Sequence, residues 1–162
     1  MNNTKIAIYP GTFDPITLGH LDILKRGSNL FDRVIVTIAV NQSKVPLFSL
    51  DERIEMIEDA VKKFDNVCVE KFDGLLVDFA KQQKASVILR GLRAISDFEY
   101  EFQMALMNQH LAEKITTLFL MPNEKYTYLN STIVKDVAKF GGNIEKFVTK
   151  FVAEKLISKF KS

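Results

Sequence analysis

Apolar residues gather along the chain in five short runs, at 6–9, 34–40, 67–72, 87–89 and 117–121. Each is too short and too continuous for an amphipathic helix and reads as a buried strand. Between and after them, apolar positions recur at helical spacing over 19–31, 50–64, 75–84, 97–111 and 131–140. Strand and helix patterns that alternate in this way predict an α/β fold with a parallel sheet. Ser49-Leu50-Asp51-Glu52 has the form of a capping box for the second helix, and Gly141-Gly142-Asn143 reads as the stop after the fifth. Terminal helices over about 144–162 follow, with Asn143 or Thr149 as candidate caps.

The 162 residues, 47% hydrophobic and 26% charged, suit one domain with a substantial core, without repeats or linkers. No apolar stretch reaches the roughly 18–20 residues of a membrane span, and the run after Lys5 is too short for a signal peptide. The cytoplasm is therefore the expected compartment. Cys68, the one cysteine, reads as a small hydrophobe in a reducing environment. A net charge of +2 does not point to nucleic acid, yet the tail from Lys146 sets five lysines against Glu154. With Phe147, Phe151, Ile157 and Phe160 between them, the expectation is an amphipathic helix packed on the domain or a neighbouring subunit, an anionic surface being the competing use.

Candidate chemistry falls where the strands end, the rim at which open parallel sheets bind ligands. After the first strand come Gly11, Thr12, Phe13 and Asp14, then His20 at the start of a helix, where backbone N–H groups and the helix dipole favour an anion. Lys44 follows the second strand. Arg90 ends the fourth and requires an anion or a carboxylate partner. Asp97, Glu101 and Asn108 share one edge of the next helix, with Phe98, Phe102 and Leu106 expected to face inward. Asn130, Ser131 and Thr132 offer hydroxyls and a cap at another helix start. Neither GxxxxGK[ST] nor GxGxxG is present.

Three segments, in order and spacing, carry a resemblance. They are Thr17-Leu18-Gly19-His20, with the (H/T)xGH spacing of the nucleotidyltransferase superfamily; Arg90-Gly91-Leu92-Arg93 leading into Asp97-Phe98-Glu99-Tyr100-Glu101; and Tyr126 through Lys135. From about Lys5 to at least Phe147 the chain resembles bacterial phosphopantetheine adenylyltransferases. The resemblance implies a Rossmann-like, doubly wound sheet of about five parallel strands. It also implies reversible adenylyl transfer from ATP to 4′-phosphopantetheine, giving dephospho-coenzyme A and pyrophosphate in coenzyme A biosynthesis.

The same resemblance assigns roles. His20 becomes the transition-state stabiliser, with Lys44 and Arg90 as catalytic clamps. ATP is contacted by Thr12, Phe13 and His20; by Gly91, Leu92, Arg93 and Glu101; and by Tyr126, Thr127, Tyr128, Leu129, Asn130, Ser131 and Thr132. Family members commonly have serine where this chain has Asn130. Thr12, Lys44, Leu76 and Arg90 take the phosphopantetheine. Mg²⁺ comes with the ATP phosphates and has no direct protein ligand, and a homohexamer and a coenzyme A feedback ligand are further implications. The competing readings are nicotinamide mononucleotide or cytidylyl transfer on the same superfamily scaffold, and a non-catalytic nucleotide sensor.

Overall fold

The computed structural model describes residues 4–40, 45–93 and 95–161. Five parallel strands, β1 (Ile6–Pro10), β2 (Arg33–Ala39), β3 (Val67–Phe72), β4 (Val87–Gly91) and β5 (Thr116–Leu120), form one sheet in the order β3-β2-β1-β4-β5. The connecting helices are α1 (Leu18–Leu30), α2 (Leu50–Val61), α3 (Leu76–Gln82) and α4 (Ile95–Leu111), and α5 (Ser131–Lys139) and α6 (Lys150–Lys161) follow β5. This is the parallel α/β sheet that the alternation predicts, doubly wound as the resemblance implies.

The central strands β1, β2 and β4 are covered on both sides, which explains their continuous apolar runs, while β3 and β5 at the sheet edges are only partly buried. One face packs Val34, Val36 and Ile38 of β2 and Leu89 of β4 against apolar residues of α1, α2, α5 and α6. The other packs Ile8, Ile35 and Ile88 against Val77, Phe79 and Ala80 of α3 and against Ala112 and Ile115 beyond α4. Helix α2 starts at the anticipated capping box, with Glu52 N–H donating to Ser49 Oγ (3.2 Å) and Ser49 N–H to the Glu52 carboxylate (2.7 Å).

The basic tail packs on its own chain. Val152, Ala153 and Leu156 of α6 join the first core face, while Lys155 and Lys159 pair with Glu55 and Glu52 of α2 at 2.8 and 3.0 Å. Within the expected 144–162 stretch the regular helix begins only at Lys150, and a turn over 145–147 precedes it, flanked by the buried Ile144 and Val148.

One expectation is reversed in α4. Phe98, Phe102 and Leu106 are about half exposed, whereas Asn108 is buried. Apolar and polar residues alternate around this helix without a clear apolar stripe, so its spacing could not select an inward face.

The strand order reverses at β1, and there the sheet opens. β1 pairs with β2 through five residues as far as Pro10↔Thr37, but with β4 only at Ala7↔Val87 and Ile8↔Ile88. The carboxyl ends of β1 and β4 therefore diverge into the crevice where such sheets place ligands.

Candidate active site

The β1–α1 turn forms the crevice floor. Phe13 takes a left-handed backbone (φ 48°) and is buried, its ring lying over Gly11. A Cβ on Gly11 would sit 2.8 Å from the Phe13 ring. Gly11 therefore makes room for this side chain. The ring meets Tyr9 and His20 edge-on, at 5.5 and 5.1 Å between centroids.

Asp14 does more than stabilise its own turn. Its buried carboxylate accepts from the backbone N–H groups of Leu47 and Phe48 (both 2.9 Å) and from Lys135 Nζ of α5 (2.7 Å). Arg53 donates to Thr12 O (2.8 Å) and Ser131 Oγ to Pro15 O (2.7 Å). The turn is thus held from α2, α5 and the segment ahead of α2. Burial raises the Asp14 pKa, but Lys135 and the two backbone donors outweigh it and hold the carboxyl below its ordinary value.

Asp14→Asn is expected to cost about 2–4 kcal/mol at pH 7, since an amide cannot accept on both sides and leaves Lys135 unpaired. The folded pKa lies below the unfolded one, so the carboxylate's contribution is complete above about pH 4 and disappears as pH falls through the folded value. Urea unfolding should therefore show the gap between wild type and variant closing in acid.

His20 is the third residue of α1 and completes a capping box with Thr17. Thr17 N–H donates to His20 Nδ1 (3.0 Å), and His20 N–H to Thr17 Oγ1 (3.4 Å). Because a backbone N–H can only donate, Nδ1 must carry the lone pair, and the neutral ring's proton sits on Nε2. Burial, helped by the Arg93 and Arg90 charges, lowers the pKa to about 4. The free protein therefore presents a neutral imidazole with a fixed donor at Nε2. The start of α1 is mostly satisfied internally, Leu18 N–H donating to Phe147 O (2.8 Å), so the backbone anion site expected there is largely consumed.

Across the crevice, Arg90 at the end of β4 makes a two-pronged ion pair with Glu101 of α4, through Nε (2.8 Å) and Nη2, while Nη1 donates to Pro10 O (2.8 Å). It bridges β1 and β4 where their ladder stops. Burial disfavours its charge, but Glu101 more than compensates, and the pKa is raised. The three bonds use three of the five guanidinium N–H groups and leave two among the described residues. Arg93 Nε pairs with Asp97 (3.1 Å) and Nη1 donates to Leu129 O (3.2 Å). Glu101, which the resemblance makes an ATP contact, holds Arg90 in this structure.

The start of α5 closes the site. Asn130 caps the helix by accepting from Ile133 N–H (2.8 Å), so the residue that departs from the usual serine serves as the N-cap. The Ser131 hydroxyl is engaged with Pro15. The exposed Thr132 hydroxyl and the N–H groups of residues 131 and 132 have no partner among the described residues, which makes this end better suited to phosphate than the start of α1.

These elements enclose a cavity of about 530 Å³, within the range of small-molecule sites. The cytidylyltransferase-like family model matches residues 8–137, which span the sheet, the crevice and most of α5. The chain belongs to the cytidylyltransferase-like family. Two relatives named phosphopantetheine adenylyltransferase are 55% identical, from Caldanaerobacter subterraneus subsp. tengcongensis, and 51% identical, from Alkaliphilus metalliredigens. The first match covers 97% of this chain and 98% of its relative; the second covers 96% and 99%. The fold is shared with a nicotinic acid mononucleotide adenylyltransferase from Plasmodium falciparum solved with NaAD, at a TM-score of 0.74 and 16% identity over 96% of each chain.

For this cytidylyltransferase-like protein the structure gathers most of the residues singled out by sequence. Thr12, Phe13, His20, Arg90, Gly91, Arg93 and Glu101 line the cavity, as do Tyr126, Leu129, Asn130, Ser131 and Thr132. Four others are engaged away from its wall. Leu92 N–H donates to Leu120 O, Thr127 Oγ1 to Glu124 O, Tyr128 meets Phe147 edge-on, and Leu76 packs under the second core face. Lys44 lies outside the described residues. Tyr9, Thr17, Ile23 and Asp97 also line the cavity. Thr17 was recoverable from its three-residue spacing to His20; Tyr9 was hidden inside an apolar run.

Proposed function

We propose that this protein transfers the adenylyl group of ATP to 4′-phosphopantetheine, forming dephospho-coenzyme A and pyrophosphate. The observation that carries the reading is identity of 51–55% to phosphopantetheine adenylyltransferases over 96–97% of this chain. A phosphate oxygen of phosphopantetheine attacks the α-phosphorus in line. The bond to the β-phosphate oxygen breaks, and pyrophosphate leaves with the electron pair, so the enzyme needs no nucleophile of its own. His20 Nε2–H donates to an α-phosphate oxygen as charge builds on it, from a geometry that the Thr17 bond has already set. Arg90, with its two remaining N–H groups, and Lys44 hold the acceptor phosphate. The start of α5 takes the β- and γ-phosphates, while Gly91, Leu92, Arg93 and the 126–129 segment take the nucleoside, and Leu76 the pantetheine arm.

Asp97 and Glu101, the carboxylates on the cavity wall, are each paired with a guanidinium, and no cluster of three or more metal-ligating residues occurs among the described residues. These residues do not fit a resident metal, so Mg²⁺ enters as part of the MgATP substrate. No helix among the described residues is long and apolar enough to cross a membrane, and residence in the cytoplasm follows from the proposed soluble substrates. The exposed Phe98, Tyr100, Met104 and Leu106 of α4 support a homohexamer in which other subunits cover this face. Coenzyme A, which contains the product's skeleton, is proposed as a feedback ligand.

The test is pyrophosphate release from MgATP with 4′-phosphopantetheine, with nicotinamide mononucleotide and no acceptor as parallel arms. Release with phosphopantetheine alone is expected. Release with nicotinamide mononucleotide instead would overturn the acceptor, and binding of ATP without any release would leave a nucleotide sensor.

A further inference from the structure

Tyr9 stands apart from every other residue of β1. The residue is 4% exposed and lies on the cavity wall. Its hydroxyl bonds to no protein group among the described residues, and since no buried side-chain polar atom there lacks a partner, the oxygen is open to the cavity. A phenol held this deeply ordinarily finds a partner for its hydroxyl, because an unmade hydrogen bond leaves desolvation uncompensated, and here the side open to one is the cavity. The rest of the ring is fully used. It packs in the core beneath α1 and meets Phe13 edge-on. Its hydroxyl lies above Gly91, where an added Cβ would come within 3.8 Å of the oxygen. The ring is thus held rigidly and the hydroxyl is aimed at the crevice between β1 and β4.

We propose that the Tyr9 hydroxyl is a substrate-binding group that donates a hydrogen bond to a phosphoryl oxygen bound in this crevice. The inference rests on the adenylyl-transfer reading for the identity of that ligand. The surroundings choose the direction of the bond. Arg90 and Arg93 are the charges that act most strongly on Tyr9 in favour of an anion, and the nearby Glu101 is already consumed by Arg90. Burial pushes the phenol pKa far above its ordinary value, so the group remains a neutral O–H donor throughout the working pH range. A ligand that displaced water from this hydroxyl without offering an acceptor would lose affinity; an anionic oxygen gains a charge-assisted bond.

The test is Tyr9→Phe, which keeps the ring and removes only the hydroxyl. Binding of MgATP without acceptor and of 4′-phosphopantetheine without nucleotide is measured by calorimetry, beside urea unfolding and steady-state turnover. Affinity is expected to fall about tenfold for at least one ligand. The arm that falls identifies whether the triphosphate or the acceptor supplies the oxygen. Stability is expected to hold, since the hydroxyl faces the cavity and bonds to no protein group that its removal would leave unpaired. Unchanged affinity in both arms overturns the proposal, and so does a loss of affinity that only matches a loss of folded protein. Failure of the function reading is distinguishable, because it appears as absent pyrophosphate release in the wild type.

Discussion

Replacing His20 by alanine is expected to lower kcat about 10²–10³-fold while leaving the Kd for MgATP within about threefold. The asymmetry follows from the geometry. The Thr17 N–H···Nδ1 bond of 3.0 Å fixes the ring before substrate arrives, so little is spent on orienting it, and in the proposed reaction the Nε2 donor acts where negative charge grows. His20→Asn, whose amide can still donate, should recover part of the loss. Equal losses in kcat and affinity would show that His20 only binds ground-state phosphate.

The same residue makes a prediction in pH. With a folded pKa of about 4 against an ordinary value near 6.5, the unfolded chain takes a proton before the folded one does. His20 therefore favours unfolding progressively as pH falls from about 6.5 to 4 and has no pH effect above about 7. Wild type should lose of order 1 kcal/mol more stability between pH 7 and 5 than His20→Asn. Nitrogen NMR of the free protein should show the Nε2–H tautomer throughout that range. An imidazolium at pH 6 would overturn the neutral-donor account.

How much could be read in advance depended on the range of the determining interaction. The strands and the α2 cap are local matters of apolar continuity and three-residue spacing, and both were legible. Helix α4 was not, because apolar and polar residues are mixed around its circumference and carry no periodic signal, and Asn108, not Phe102, turned inward. At the site, residue types at strand ends identified Arg90 and His20, and the need of Arg90 for an anion or carboxylate was visible in its setting. That the carboxylate is Glu101 requires knowing where α4 crosses β4. The role of Asp14 likewise depends on Leu47, Phe48 and Lys135 arriving from distant parts of the chain. Phe13 had no marker for its left-handed backbone. Tyr9 was read as strand core, which it is, while its hydroxyl belongs to the site.

Arg90→Ala is expected to reduce kcat/KM for 4′-phosphopantetheine about 10²–10³-fold and to destabilise the fold by about 2–3 kcal/mol. Two causes are mixed in that result. The substitution removes the proposed phosphate clamp, and it also strands the Glu101 carboxylate, whose side chain is only 12% exposed, and takes a donor from Pro10 O. Glu101→Gln separates them. Alone, it weakens the guanidinium's anchor while leaving the cation in the crevice, so kcat should fall about tenfold and phosphate affinity should change little. In the double variant the uncompensated carboxylate is gone, and stability should recover by about 1–2 kcal/mol relative to Arg90→Ala. Turnover should not recover, because neutralising Glu101 cannot replace the two N–H donors proposed to hold the acceptor phosphate. If activity returned with stability, Arg90 would be needed only to balance Glu101, and the phosphate would have to be held from elsewhere on the rim.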